Sequence, residues 1–238
     1  MEKNILLHRI ALHLRFSFYQ KSLERKVSVL SDNLAVSFAE LIECRDEGTG
    51  GHVMRTAMYV EKLGREVIRH GLFPGELSED ELAMIVRAAP LHDIGKIGIK
   101  DSILLKPGKL DNDEFAVMKR HAALGEEILE GMYKRAPVQS YLQYASIIAA
   151  SHHEKYDGTG YPRHMEGRGI PLCGRIMAVA DVYDSLVDTR VYRKAMSHEE
   201  ACAIILDGKG GHFDPDLVEI FDSCHRDFLD MFSRSQEA

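Results

Sequence analysis

LHLRFSFYQKSLERKVSVLSDNLAVSFAEL, residues 12–41, sets apolar side chains at Leu12, Phe16, Tyr19, Leu23, Val27, Leu30, Leu34, Phe38 and Leu41. The steps between them are 4, 3, 4, 4, 3, 4, 4 and 3, the repeat of one face of an α-helix. Arg15, Lys21, Glu24, Arg25, Asp32 and Asn33 fall off that stripe. At about 1.5 Å of rise per residue such a helix outruns a compact domain. Its first half is therefore expected to act as a linker or a dimer seam, with a break between Val27 and Ser31 as one way to end it. From Leu30 onward, folding against its own domain is nearly as good a reading.

Outward from that segment, helical patterns recur at about 52–70, 79–92, 111–119, 121–134, 138–152, 173–188, 197–207 and 215–232. Stop signals separate them at Gly71, Pro74, Gly108, Pro137, Pro162, Pro171 and Gly208–Gly211. Ser78 with Glu81, and Ser197 with Glu200, have the spacing of capping boxes. Only residues 97–103 hint at a strand. The expected fold is all-α, with a long N-terminal helical segment (1–40) ahead of a helical domain (41–238).

The chain of 238 residues is 45% hydrophobic and 28% charged, the balance of a globular protein. Its net charge of −7 argues against a partner as large as a nucleic-acid duplex. Every apolar run is interrupted by charge and too short for a membrane span. Residues 5–14, broken by His8, Arg9 and His13, do not read as a signal peptide. Cys44, Cys173, Cys202 and Cys224 form no C-x-x-C pair, which suits free thiols in a reducing, cytoplasmic setting.

The chemistry is carried by histidines. There are 12, and His92-Asp93 and His152-His153 form adjacent pairs at the ends of apolar helical patterns. Neighbours on a helix point about 100° apart, so both members of a pair can serve one cluster only near a helix end. Asp181 closes the apolar run Ile176–Ala180, where a buried carboxylate needs a compensating cation. Imidazoles and carboxylates without thiolates suit Fe, Mn, Zn, Co or Ni. His52 and His121 each open a helical pattern and can complete such a site. A carboxylate bridging two metals would suit in-line attack on a phosphodiester.

These residues resemble the HD-GYP domain, the branch of the HD phosphohydrolases that cleaves cyclic di-GMP. The resemblance runs from Arg45-Asp46 and Thr49-Gly50-Gly51-His52 through Leu91–Ile97, including His92, Asp93 and Lys96. It continues in His121–Gly125, His152-His153-Glu154, Asp157–Pro162 and Asp181–Asp184, over about residues 40–220. It implies an HD-superfamily helical bundle holding two transition-metal ions, Fe or Mn. One ion would be held by His52, His92 and Asp181, the other by His121, His152 and His153, with Asp93 bridging. A family glutamate that supports a third metal is replaced by Gly48, with Glu47 one residue out of register. Lys96 would contact a phosphate oxygen, Gly160 and Tyr161 would approach the nucleotide, and Arg190 and Arg193 would bind phosphate. Thr189 and Val191 depart from the family pattern beside those arginines. The other histidines (His8, His13, His70, His164, His198, His212 and His225) read as surface or capping residues.

The implied activity is hydrolysis of cyclic di-GMP to linear pGpG, and by a second cut to GMP, through attack of a metal-bridging hydroxide on phosphorus. One alternative is a cyclic di-GMP-binding or partner-docking module with little turnover. Another is a different HD-superfamily reaction on nucleotides or with oxygen, against which the Asp157–Pro162 loop speaks. The first forty residues resemble the last helix and linker of a receiver domain. They suggest the output part of a two-component response regulator, and a homodimer through Leu12–Val27.

Overall fold

The computed structural model describes residues 2–46, 51–135, 141–189 and 195–236. Among the described residues ten α-helices follow one another: α1 (Glu2–Asp46), α2 (His52–Arg69), α3 (Glu79–Ala88), α4 (Asp101–Leu104) and α5 (Asn112–Met118). Then come α6 (Arg120–Arg135), α7 (Tyr141–Ser151), α8 (Leu172–Val187), α9 (His198–Asp207) and α10 (Pro215–Gln236). No strand occurs among the described residues, so the fold is all-α. The chain divides into two compact units, the first ending at Phe38 and the second beginning at Ala39.

In the first unit α1 is helical throughout, and no break falls between Val27 and Ser31. Its apolar stripe is uncovered: Phe16 is 65% exposed, Tyr19 68% and Leu30 61%. Leu14, Phe18 and Val29 lie off the stripe and are also exposed, so the apolar surface is broader than one seam. Leu34, Phe38 and Leu41 remain exposed as well, and burial starts at Ala39, Ile42 and Glu43.

The second unit is built around α2, α7 and α8. In α2 the buried residues Tyr59, Val60, Leu63 and Val67 recur at helical spacing. Helices α7 and α8 are buried around most of their circumference, as expected of central elements. Helix α2 packs on α3, α8 and α10, while α6 packs on α7 and on the short 3₁₀ turn Ile94–Gly98. Tyr59, Tyr183, Phe221 and Phe228 pack together, with Tyr59 stacked on Phe228 at 4.5 Å. Both anticipated capping boxes are formed, Ser78–Glu81 and Ser197–Glu200, and a third joins Asp111 to Glu114.

One helix ends sooner than its pattern suggests. The pattern 79–92 stops as α-helix at Ala88 and continues as a 3₁₀ turn, Ala89–Leu91. Pro90 lies in that turn, and proline has no N–H to continue the helical ladder. The stretch 97–103 forms no strand; it contains the end of the 3₁₀ turn and the start of α4. Gly95 lies inside that 3₁₀ turn. A Cβ there would lie 1.9 Å from the His121 carbonyl oxygen and 2.5 Å from Gly125 N. The glycine lets the segment carrying Asp93 lie directly against α6.

Candidate metal centre

Seven side chains converge from five places in the chain. His52 opens α2, His92 and Asp93 lie between two 3₁₀ turns, and His121 is in the first turn of α6. His152 and His153 follow the end of α7, and Asp181 lies in α8. They form two groups, His52–His92–Asp181 and Asp93–His121–His152–His153, each with its ligand atoms within 4.8 Å of one another.

Asp93 faces both groups. Its Oδ1 is 3.2 Å from His121 Nε2 and 3.6 Å from His152 Nε2, while Oδ2 is 3.4 Å from His92 Nε2. Lys96 Nζ lies 2.9 Å from the same Oδ2. In the other group, His52 Nε2 is 3.4 Å from His92 Nε2 and 3.5 Å from Asp181 Oδ1.

The far edges of the imidazoles are anchored. His92 Nδ1 lies 3.0 Å from the Ala89 carbonyl oxygen, His121 Nδ1 2.8 Å from that of Met118, and His152 Nδ1 3.0 Å from that of Ile148. His52 Nδ1 lies 2.8 Å from Asp184 Oδ2. A proton on each Nδ1 satisfies these acceptors and turns the Nε2 lone pairs inward, the arrangement found around metal-bound histidine.

Electrostatics favour the same protonation states. Burial would raise the Asp93 carboxyl, but Lys96 and His92 overcome it and hold the group well below the carboxylate range. Asp181 is likewise held low against burial, by His92 and His52. Burial pushes His121 down to about 4, and burial with the charge of neighbouring imidazoles takes His153 well below its ordinary value. His152 moves the other way: burial opposes its charge, but contact with Asp93 raises it. Ionised carboxylates and neutral imidazoles are the ligand forms a cation needs. Asp93 Oδ1, His121 Nε2 and His152 Nε2 are buried without an aligned hydrogen-bond partner. Orphaned acceptors of this kind, facing one point, fit a bound cation.

Four supporting residues, Asp184, Arg55, Glu43 and Arg45, have no role assigned from the sequence. Asp184 accepts from His52 and from Arg55, which donates at 2.7 and 2.8 Å and also pairs with Asp188. Glu43, 7% exposed, accepts the backbone N–H of His52 at 3.0 Å and of Val53 at 3.3 Å. It caps α2, whose N-cap residue Gly51 has no side chain to do so. Arg45 donates to Ile99 O at 2.8 Å, to Lys96 O and Ile97 O at 3.3 Å, and to Asp101. The signals were available: Asp184 lies one turn beyond Asp181, and Arg55 one turn beyond His52.

Tyr161 lies over His153, ring centroids 4.7 Å apart, and its backbone N–H donates to the His153 carbonyl. Gly160 is buried, and a Cβ there would lie 2.2 Å from Lys155 N and 2.5 Å from Glu154 Cα. Its missing side chain thus admits the chain's own backbone. Glu154 fixes the loop by accepting from Arg163 N and Met165 N. Arg190, Arg193, Glu47 and Gly48 lie outside the described residues. His198 and His225 are corrected from surface residues to a partly buried pair beside Cys202. His212 is half-buried and stacked on Phe213.

Residues 37–217 match the HD-domain family model, and the chain belongs to that family. Its signature segments are those of the HD-GYP branch, and proteins with this domain are metal-dependent phosphohydrolases. The chain is 43% identical over 215 residues to a cyclic di-GMP phosphodiesterase of Vibrio cholerae, covering 90% of this chain and 44% of that protein. It is 44% identical over 185 residues to the cyclic di-GMP phosphodiesterase response regulator RpfG of Xanthomonas campestris, covering 76% of this chain and 44% of the relative. Among solved structures, a cyclic GMP-AMP-specific phosphodiesterase of Vibrio cholerae superposes with a TM-score of 0.59 at 20% identity. That match covers 86% of this chain and 53% of the other, and shows the shared fold. The chain thus spans less than half the length of these two sequence relatives. Among the described residues no helix is long and apolar enough to cross a membrane.

Proposed function

We propose that this chain is a metal-dependent phosphodiesterase that hydrolyses cyclic di-GMP to linear pGpG and, by a second cut, GMP. The observation that carries the reading is Asp93, whose two oxygens face two clusters of imidazole and carboxylate donors, with Lys96 alongside. His52, His92 and Asp181 would hold one ion, His121, His152 and His153 the other, with Asp93 shared. Donors without thiolate suit Fe, Mn, Zn, Co or Ni, and the resemblance to the HD-GYP domain points to Fe or Mn among them. When bound, the ions supply Lewis acidity and an activated nucleophile near neutral pH.

The chain's own residues do the rest. Imidazoles of His52, His92, His121 and His152, fixed through Nδ1, keep their Nε2 atoms aimed into the two groups without reorganisation. The Lys96 ammonium, beside Asp93, offsets charge that develops on the phosphoryl oxygens. Tyr161 presents an aromatic face beside His153 against which a guanine can stack, with Gly160 shaping the loop beneath it. Arg190 and Arg193 are assigned to the ligand's phosphates through paired donors.

The organisation follows the same reading, with a linker helix over 1–40 and a catalytic domain over 41–238. The exposed stripe from Leu12 to Val27 supports a homodimer through α1, and the likeness to a response regulator supports an upstream receiver domain. Free cysteines among the described residues support a cytoplasmic setting.

The test is turnover by anaerobically purified, metal-loaded protein on cyclic di-GMP and on 3′3′-cyclic GMP-AMP, with products resolved by chromatography. Cleavage of cyclic di-GMP, with Asp93→Ala losing metal and turnover together, is expected. Tight binding without cleavage by fully loaded protein would instead identify a sensing module. Retained activity in Asp93→Ala would overturn the assignment.

A further inference from the structure

We propose that His198, Cys202 and His225 form another metal site, outside the His/Asp centre, that takes one borderline-soft dication such as Zn²⁺. His198 and Cys202 are four residues apart on α9, so their side chains leave the same face. His225 meets them from α10. The three ligand atoms lie within 4.8 Å of one another. Cys202 Sγ is 3.5 Å from His198 Nε2, and His225 Nδ1 is 2.9 Å from the same nitrogen.

These separations can be compared with what an ion requires. With Zn–N near 2.0–2.1 Å and Zn–S near 2.3 Å, the edges of a tetrahedral site are about 3.4–3.6 Å. The sulfur–nitrogen pair already has that spacing. The two imidazoles need to part by only about half an ångström, which half-buried side chains near the surface can accommodate. Cys202 Sγ, 3.5 Å from Nε2 but also 3.8 Å from Nδ1, would swing from beside the ring into line with Nε2 by rotation of its side chain.

His198 is also oriented as a ligand. Its Nδ1 lies 2.8 Å from the Tyr183 hydroxyl, so a proton on Nδ1 leaves the Nε2 lone pair facing His225, with Cys202 Sγ alongside the ring. This hydroxyl does for His198 what backbone carbonyls do for His92, His121 and His152. Tyr183 is itself fully buried, in contact with Tyr59, Phe221 and Phe228. Cys202 is 7% exposed, whereas His198 and His225 are half-buried. The thiol is thus recessed beneath two imidazoles nearer the surface. Mixed nitrogen and thiolate donors select a different cation from the all-imidazole and carboxylate centre. The bound ion would tie α9 to α10 and brace Tyr183, on the helix that carries Asp181.

The presence of a thiolate makes the site separable from the centre, whose donors include no sulfur. The experiment adds Co²⁺ stepwise under anaerobic, reducing conditions to the whole chain with its centre already loaded. A thiolate-to-cobalt charge-transfer band in the near ultraviolet is expected, rising to one equivalent. It should disappear in Cys202→Ser, weaken at least tenfold in apparent affinity in His225→Gln, and persist in Cys173→Ser. Zinc added to the loaded protein should raise its melting temperature, and should not do so in His225→Gln. His225 is partly exposed, so that variant is read independently of any folding defect in Cys202→Ser. No charge-transfer band, or one that survives Cys202→Ser, would overturn the proposal and leave a hydrogen-bonded histidine pair.

Discussion

Asp184 lies 2.8 Å from His52 Nδ1 through one carboxylate oxygen, and both oxygens also accept from Arg55. The three side chains are almost wholly buried, so the ring of His52 is fixed from the side facing away from the centre. Burial works against the Asp184 charge, but His52 and Arg55 outweigh it and hold the carboxyl below its ordinary value. Asp184→Asn keeps the shape and removes the charge. Metal affinity at the His52 group should fall about 10–100-fold, and stability by roughly 3 kcal/mol as Arg55 loses a buried counter-ion. Metal content after dialysis, with denaturant titration, checks both. Asp188→Asn touches Arg55 and the Thr189 backbone N–H but not His52, and should cost stability without loss of metal.

Arg45 predicts a separation of another kind. Its ion pair with Asp101 is largely solvent-exposed, and such pairs contribute about 0–1 kcal/mol. The bonds to the carbonyls of Lys96, Ile97 and Ile99 matter more, because they fix the turn from which Lys96 projects. Arg45→Gln should lower kcat about tenfold through misplacement of Lys96, with metal content unchanged. Asp101→Asn, which spares the carbonyl bonds, should have a much smaller effect. Equal losses in the two variants would argue against this role.

Six of the seven inward-facing groups were legible because each sits where local sequence ends or starts a helix, and the paired His92-Asp93 and His152-His153 make sense only there; Asp181, within α8, was legible as a carboxylate closing an apolar run. The supports were less legible. Glu43, Arg45 and Asp184 act on backbone atoms or on the far edge of a ring, and those contacts span 9, 54 and 132 residues of sequence. No periodic pattern encodes such pairings. The helix pattern at 79–92 misled for a related reason, because its apolar spacing continues through Pro90 although its hydrogen bonding does not. In α1 the stripe predicted a helix, but a stripe cannot specify what covers it.

Acid should destabilise the metal-free protein before its carboxylates titrate. Burial pushes His121 and His212 down to about 4 and His153 well below 6.5. As pH falls from 6.5 toward 4, the unfolded chain takes up protons that these folded groups refuse, so stability falls with pH in that window. His152 works oppositely: its raised value adds stability that is present below 6.5 and lost as pH rises. His198 is lowered by burial as well, so four groups against one fix the sign. The denaturant midpoint of chelator-treated protein should be lower at about pH 5 than at about pH 7, and a flat or rising midpoint would contradict this balance.

Gly95 provides a geometric test of the centre. A methyl group at this position would sit 1.9 Å from the His121 carbonyl oxygen and 2.5 Å from Gly125 N, both backbone atoms that cannot rotate away. Gly95→Ala must therefore lift the Asp93 segment off α6, at a cost of about 1–3 kcal/mol for overpacking. That displacement widens the gap between Asp93 and His121, now 3.2 Å between ligand atoms. Metal should be lost preferentially from the Asp93–His121–His152–His153 group, with the His52 group less affected. Gly98→Ala is the comparison, because its Cβ would meet only the Leu124 side-chain tip at 2.9 Å, which can swing aside. If Gly95→Ala binds as much metal as Gly98→Ala, close backbone approach is not what holds Asp93 against His121.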